Sequence, residues 1–476
     1  TLLYKFVIKN VSNKYDFIEL IKVFVSQDEF RAYTQEEFDA LPEHEKKAGD
    51  IVCFNNELSA DKNEIKRQLY RYLSSETGKR PPWGILTGVR PAKLTGEIFE
   101  KLGNIDAVRN ELISNYLLSE EKAELLVDTY SYQQQVCGRP DPHSVGVYIG
   151  IPFCPTRCLY CSFTSNQVSE SEIARYLKEL KKEIVYTGRR MTETGLWPEA
   201  IYIGGGTPTT LTAAQLDDLL NTVKQNMDLT RTLEFTVEAG RPDTITPDKL
   251  KIMKNHGVKR ISINPQSMKE KTLEIIGRSH QPEDIVNAFQ ISDRVGIPIV
   301  NADLIAGLPE EEPEDFTETL KKIIDLEPEN ITVHTLAVKR ASKLIELDKD
   351  YHYRQAECVK KMLNDGRKML AERGYRPYYL YRQKHMAGAF ENVGYCKEDT
   401  SCIYNIRIME EHQTILALGA GGISKMYYPE ENRLERVPNV SNYEIYISRI
   451  DEMLDRKEKN IFMEVKKDVN KRTKRN

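Results

Sequence analysis

The sequence predicts an α/β protein built on an open six-stranded (β/α)6 partial barrel, with a small N-terminal α/β domain before it and a C-terminal α+β domain after it. Three observations carry this prediction. Between residues 144 and 374, strand-like apolar runs alternate with amphipathic helical stretches six times over, the rhythm of a parallel sheet with right-handed crossovers. Six units fall short of the eight that close a (β/α)8 barrel, so the sheet stays open and leaves a lateral mouth. A loop of three cysteines directly follows the first of these strands, at the strand end where barrels build their active sites. The boundaries that follow are 1–140 for the N-terminal unit and a helical connector, 141–374 for the barrel, and 375–476 for the C-terminal domain.

Bulk composition narrows the class. The 476 residues are 40% hydrophobic and 29% charged, an ordinary soluble globular balance, and the net charge of −4 argues against nucleic-acid binding as the main task. No apolar run reaches membrane-span length, and the first residues do not read as a signal peptide, so no membrane association is expected. Of eight cysteines, five (Cys53, Cys137, Cys358, Cys396, Cys402) are scattered without a disulfide framework, which suits a reducing, cytoplasmic setting.

In chain order, residues 2–8 and 50–54 read as strands and 15–25 and 62–75 as helices of the small first unit. A Gly- and Pro-rich break at 77–84 leads through Leu86-Thr87-Gly88-Val89-Arg90-Pro91 into charged connector helices over 97–135. The barrel strands are expected at 145–151, 200–204, 233–238, 260–264, 297–305 and 330–338, and its helices at 171–189, 213–225, 247–256, 282–295, 314–326 and 353–373. Beyond them, 376–381, 402–409 and 413–418 read as strands, 441–457 as a helix, and 466–475 as a frayed basic end.

The chemistry is concentrated at the predicted C-terminal ends of the barrel strands. Cys154, Cys158 and Cys161 have Cx3Cx2C spacing. Three thiolates on one short loop can wrap a cube of iron and sulfide, because each reaches a different iron, and the fourth iron is left open for a ligand. A structural zinc site would need a fourth ligand at paired spacing, and neither Cys137 nor His143 supplies it. The second strand ends in Gly204-Gly205-Gly206-Thr207-Pro208, whose bare backbone lets a ligand approach closely. The third ends in Glu238, and the fourth leads into Gln266 and then Gly277-Arg278-Ser279-His280. The fifth carries Asp303, an acid in an apolar run that is costly to bury unless paired or used. An acid at Asp303 can accept hydroxyl donors of a ligand and Arg278 can pair with a carboxylate, while His334 on the sixth strand reads as a core or pocket-wall histidine.

These motifs identify the chain as similar to the radical S-adenosylmethionine (SAM) enzymes. In particular, Tyr148-x-x-Ile151-Pro152-Phe153-Cys154, the glycine turn, Pro265-Gln266-Ser267, the Arg278 turn and Asp303-Leu304-Ile305-Ala306-Gly307-Leu308-Pro309 resemble the oxygen-independent coproporphyrinogen III dehydrogenases. The segments at Leu86 and at Glu391-Asn392-Val393-Gly394-Tyr395 look most like the HemZ branch. The resemblance implies a radical SAM partial TIM barrel in which Cys154, Cys158 and Cys161 hold a [4Fe–4S] cluster. It implies that SAM is contacted by Tyr148, Tyr160, Gly205, Gly206, Thr207, Glu238, Gln266, Arg278, Asp303, Ile305 and Ala337. It further implies a reduced flavodoxin- or ferredoxin-type electron donor and coproporphyrinogen III as substrate. A SAM-derived 5′-deoxyadenosyl radical would take a propionate β-hydrogen, and loss of an electron and CO2 would leave a vinyl group on the way to protoporphyrinogen IX in haem biosynthesis.

Two positions depart from the pattern. Phe163 stands where the dehydrogenases carry a further cysteine, and Glu391–Cys396 occupies the region of the His-Asn-x-x-Tyr-Trp motif of the related haem chaperones. A haem-trafficking protein, and a radical SAM enzyme with other tetrapyrrole chemistry, therefore remain the alternatives. Lys339, Arg340 and Lys343 are candidate partners for substrate propionates.

Overall fold

The computed structural model describes residues 4–46, 51–55, 61–161, 166–337, 355–383 and 390–466. Phe163, Val338, Lys339, Arg340, Lys343 and the basic end beyond 466 lie outside these residues.

The first unit is a parallel three-stranded sheet of β1 (Tyr4–Ile8), β2 (Phe30–Thr34) and β3 (Ile51–Phe54), in the order β2-β1-β3. Helices Tyr15–Ile21 and Lys62–Thr77 accompany it, and Phe6, Phe17, Leu20, Leu69 and Leu73 make a core of its own. The sequence reading missed β2, in which Phe30 alone is fully buried and gives no apolar run to recognise. The 15–25 helix ends early, at Ile21. Three connector helices follow: Pro91–Leu102, Ile105–Ser114 and Glu120–Val136. The last two start where Asn104 and Ser119 side chains accept backbone N–H groups of the first turn.

The main sheet places β4 (Ser144–Ile151), β5 (Trp197–Gly205), β6 (Glu234–Glu238), β7 (Arg260–Gln266), β8 (Ile299–Ala306) and β9 (Asn330–Thr335) side by side in chain order, all parallel. Alternation along these strands separates two faces. Val147, Ile149, Ile201, Ile203, Val237, Ile263 and Leu304 pack outward with Leu180, Leu216, Leu250, Ile285 and Leu320 of the crossover helices, and all twelve are buried. Tyr148, Tyr202, Glu238, Asp303 and His334 fall on the opposite face, which lines the interior.

The C-terminal part extends the same sheet at both edges. β10 (Arg376–Arg382) and β11 (Glu391–Cys396) add to one side, β11 running antiparallel to β9. β12 (Ile415–Leu418) lies parallel to β4 on the other side, and β13 (Ile423–Tyr428) and β14 (Arg433–Pro438) continue antiparallel beyond it. The eleven strands run β10-β11-β9-β8-β7-β6-β5-β4-β12-β13-β14.

One element differs in kind from the prediction. Residues 402–409 are not a strand but belong to a helix, Ile403–Glu410. Its alternating Cys402, Tyr404, Ile406 and Ile408 mimic a strand in sequence, yet the backbone N–H groups of Ile403 and Tyr404 are accepted by the Glu234 carboxylate of β6, at 2.8 and 3.4 Å. A distant acid thus supplies the N-terminal cap that the local sequence lacks. The 441–457 helix is divided at Arg449 into Tyr443–Ser448 and Ile450–Lys457.

Candidate active site at the strand ends

The cysteine loop leaves β4 at Ile151 and is laced to its surroundings by backbone hydrogen bonds. Cys154 N–H donates to Asn166 O at 3.1 Å, Leu159 N–H to Ile276 O at 3.0 Å, and Cys161 N–H to Cys158 O at 3.2 Å. All three cysteines are half-buried and free of disulfides. Burial pushes the Cys154 thiol up, while the Thr207 hydroxyl 3.5 Å from its sulfur pulls the other way. Among the described residues no three His, Cys, Asp or Glu side chains are grouped as ligands of a single metal ion. A cubane does not ask for that, since each thiolate takes its own iron.

The glycine turn of β5 presses against this loop. Gly206 N–H donates to Ile151 O and Thr207 N–H to Phe153 O, both at 2.7 Å. A Cβ on Gly206 would lie 2.5 Å from the Phe153 carbonyl oxygen, so only glycine fits. Gly205 has φ +113° and would set a Cβ 3.1 Å from Ile151 O, a second position that requires glycine.

Behind the turn, the Glu238 carboxylate accepts from the Tyr202 hydroxyl at 2.6 Å and from Gly205 N–H at 3.2 Å. Burial raises this carboxyl to about 7 in spite of both donors, and the nearby Asp303 charge adds to the rise. Tyr148, Tyr202 and Tyr404 stack around it, with ring centroids 4.8–6.3 Å apart. Asp303 accepts from Asn301 Nδ2 at 2.7 Å and faces His334 Nε2 at 3.6 Å, and Tyr381 Oη lies 3.3 Å from the other His334 nitrogen.

Arg278 points its Nη1 at the carbonyls of Gly240 and Asn264, both at 3.1 Å, and its Nη2 at Tyr160 Oη at 2.9 Å. Its Nε is buried with no hydrogen-bond partner among the described residues, as is Oε1 of Gln266. Gln266 also has φ +69°, a left-handed conformation that a non-glycine residue keeps only where its surroundings enforce it. Ile305 packs with Tyr160, Leu308 and Leu336, and Ala337 lies two residues beyond the end of β9.

The fourteen residues singled out in the sequence therefore all sit on the cysteine loop, in β4–β9, or in the loops at the C-terminal ends of those strands. Four more belong with them and escaped the reading. Tyr202 stands just before the glycine turn and Arg241 just after Glu238 with no pattern of their own, Asn301 reads as an ordinary strand residue, and Tyr404 belongs to the helix that the sequence presents as a strand. A separate cavity of about 690 Å³, lined by Ser144, Val145, His412 and Tyr427 among others, opens at the opposite end of β4 and shares none of these residues.

The site suits a [4Fe–4S] cluster and SAM. Three thiol side chains share one loop, a glycine cradle excludes any Cβ, and buried Gln266 Oε1 and Arg278 Nε have no partner among the described residues.

Comparison with known proteins agrees. Residues 148–323 match the Radical SAM superfamily. The chain is 38% identical over 403 residues to the oxygen-independent coproporphyrinogen-III oxidase-like protein HemZ of Bacillus subtilis (strain 168), covering 83% of this chain and 80% of that one. It is 35% identical over 196 residues to the heme chaperone HemW of the same organism, covering 40% of this chain and 50% of the chaperone. The solved structure of coproporphyrinogen III oxidase (HemN) from Escherichia coli superposes with a TM-score of 0.53 at 22% identity, over 68% of this chain and 73% of that one, and so shares the fold. With that identity over most of both chains, the protein belongs to the HemZ-type oxygen-independent coproporphyrinogen oxidase-like proteins, radical SAM oxidoreductases that use a [4Fe–4S] cluster and SAM.

Proposed function

We propose that this protein carries out the oxygen-independent oxidative decarboxylation of coproporphyrinogen III, converting propionate side chains to vinyl groups in haem biosynthesis. The observation that carries the reading is the meeting of the cysteine loop, the glycine cradle and Glu238 at one end of β4–β6, in a chain similar to HemZ over most of its length. Cys154, Cys158 and Cys161 would hold the cluster, and Gly205, Gly206, Thr207, Glu238, Gln266, Arg278 and Asp303 would contact SAM. When bound, the cluster and SAM supply a 5′-deoxyadenosyl radical able to take a hydrogen atom from an unactivated carbon.

The protein's own part is aim and exclusion of water. Gly205 and Gly206 bring bare backbone to the cluster loop, Glu238 offers a carboxylate to the methionyl amino group, and Tyr148, Tyr202 and Tyr404 wall the interior with rings. Asp303, held by Asn301, has its second oxygen turned toward His334 and is placed to take a sugar hydroxyl. The electron is expected from a small reduced flavodoxin- or ferredoxin-type protein.

The test is anaerobic reconstitution with reductant, SAM and coproporphyrinogen III, following 5′-deoxyadenosine and tetrapyrrole masses. Loss of one or two CO2 in step with deoxyadenosine supports the assignment, and Cys158→Ala should abolish both products. Deoxyadenosine without decarboxylation would move the search to another tetrapyrrole reaction. Tight haem uptake without turnover would favour the chaperone-like alternative, which the similarity to HemW keeps in view.

A further inference from the structure

The two segments between the cysteines are each pinned by a buried arginine. Thr156, between Cys154 and Cys158, accepts at Oγ1 from Arg241 Nη1 at 2.7 Å. Tyr160, between Cys158 and Cys161, accepts from Arg278 Nη2 at 2.9 Å. The arginines are 3% and 9% exposed. Arg241 donates from Nε and Nη2 to the two oxygens of Asp243, each at 3.1 Å, and from Nη2 to Ser279 Oγ at 2.7 Å. Ser279 in turn donates to Asp243 at 3.1 Å. Arg278 gives Nη1 to two carbonyls and Nη2 to a phenol. Asp243 is at ion-pair distance from Arg241, and among the described residues no carboxylate is at that distance from Arg278. Of the two buried cations beside the cysteine loop, Arg241 alone is thus directly balanced by a counter-ion.

We infer that Arg241 is a positioning residue that, balanced by Asp243, sets the reduction potential of the cluster held by Cys154, Cys158 and Cys161. The inference rests on the cluster assignment made above. Reduction adds a negative charge to the cluster, and a fixed neighbouring cation favours that state more strongly where water is excluded. Asp243 offsets part of that effect. Removing the cation and removing its counter-ion must therefore move the potential in opposite directions, whereas loss of packing alone would move both variants the same way or simply shed the cluster.

The experiment is a redox titration of reconstituted protein without SAM, followed by the electron paramagnetic resonance signal of the reduced cluster, with iron and sulfide counted in each sample. Arg241→Met is expected at a lower potential than wild type and Asp243→Asn at a higher one. Arg241→Lys, which keeps the charge and loses the fork that reaches both Thr156 and Asp243, should stay near wild type in potential while losing cluster faster in air. If Arg241→Met cannot hold a cluster, the upward shift in Asp243→Asn still decides the matter, and an unmoved potential there overturns the inference. Shifts of the same sign in Arg241→Met and Asp243→Asn overturn it too. A wild type that assembles no cluster would overturn the cysteine assignment and this inference with it, whereas a loaded wild type with unmoved variants overturns this inference alone.

Discussion

At the scale of single residues, Glu238 is the most consequential group. Its carboxyl sits at about 7 because burial penalises the charged form, against an ordinary value of 4.5. The folded protein therefore keeps a proton that the unfolded chain has released between about pH 4.5 and 7, so this group's contribution to stability falls as pH rises through that window. The N–H donors of a bound amino group ask for the ionised form as acceptor. SAM affinity of the cluster-loaded protein should then weaken about tenfold per pH unit below 7 and level off above it, measured by equilibrium dialysis, and Glu238→Gln should bind weakly with little pH dependence. A flat wild-type profile would remove Glu238 from the amino group. Glu238 was legible in the sequence because it closes a strand next to a motif. Tyr202, its hydrogen-bond donor, was not, because nothing in a strand pattern says which aromatic faces the interior.

Among the elements, the helix Ile403–Glu410 does most to shape the site from below. It lies across the starts of the barrel strands. Glu234 at the start of β6 caps it, Arg407 pairs with Glu199 of β5 at 2.8 Å, and Arg260 of β7 reaches the carbonyls of Thr400 and Ser401 just before it at 2.8 and 2.9 Å. This floor lifts Tyr404 into the stack with Tyr148 and Tyr202. Glu234→Ala would leave Arg260 without its carboxylate and two helix N–H groups without an acceptor. A loss of about 3–5 kcal/mol is expected from the broken buried pair, read from urea unfolding of the cluster-free protein. The six βα units were legible because each strand and helix announces itself within a short window. The floor was not, because its helix is capped by an acid from a far part of the chain.

For the whole molecule, the connector before the barrel and the strands added after it lock together at Glu391. Its carboxylate accepts Trp83 Nε1 at 2.8 Å and pairs with the buried Lys122 ammonium of the connector, while the Arg382 guanidinium lies 4.9 Å over the Trp83 ring. Glu391→Ala leaves Lys122 as an unpaired buried charge and should cost about 3–5 kcal/mol, seen as a lowered melting temperature. An unchanged melting temperature would deny the lock. In the sequence Glu391 opens a segment that looks like the HemZ branch and departs from the chaperone motif, and its structural role emerges once β11 is seen beside β9. The addition of β12 to the outer side of β4 has a consequence for how the protein is made. β4 is the first strand of the large sheet to leave the ribosome and, of the six barrel strands, the last to gain its second neighbour. Through most of translation β4 is a ribbon paired on one side alone, and the strand from which the three cysteines hang gains its second neighbour only after synthesis has passed residue 418.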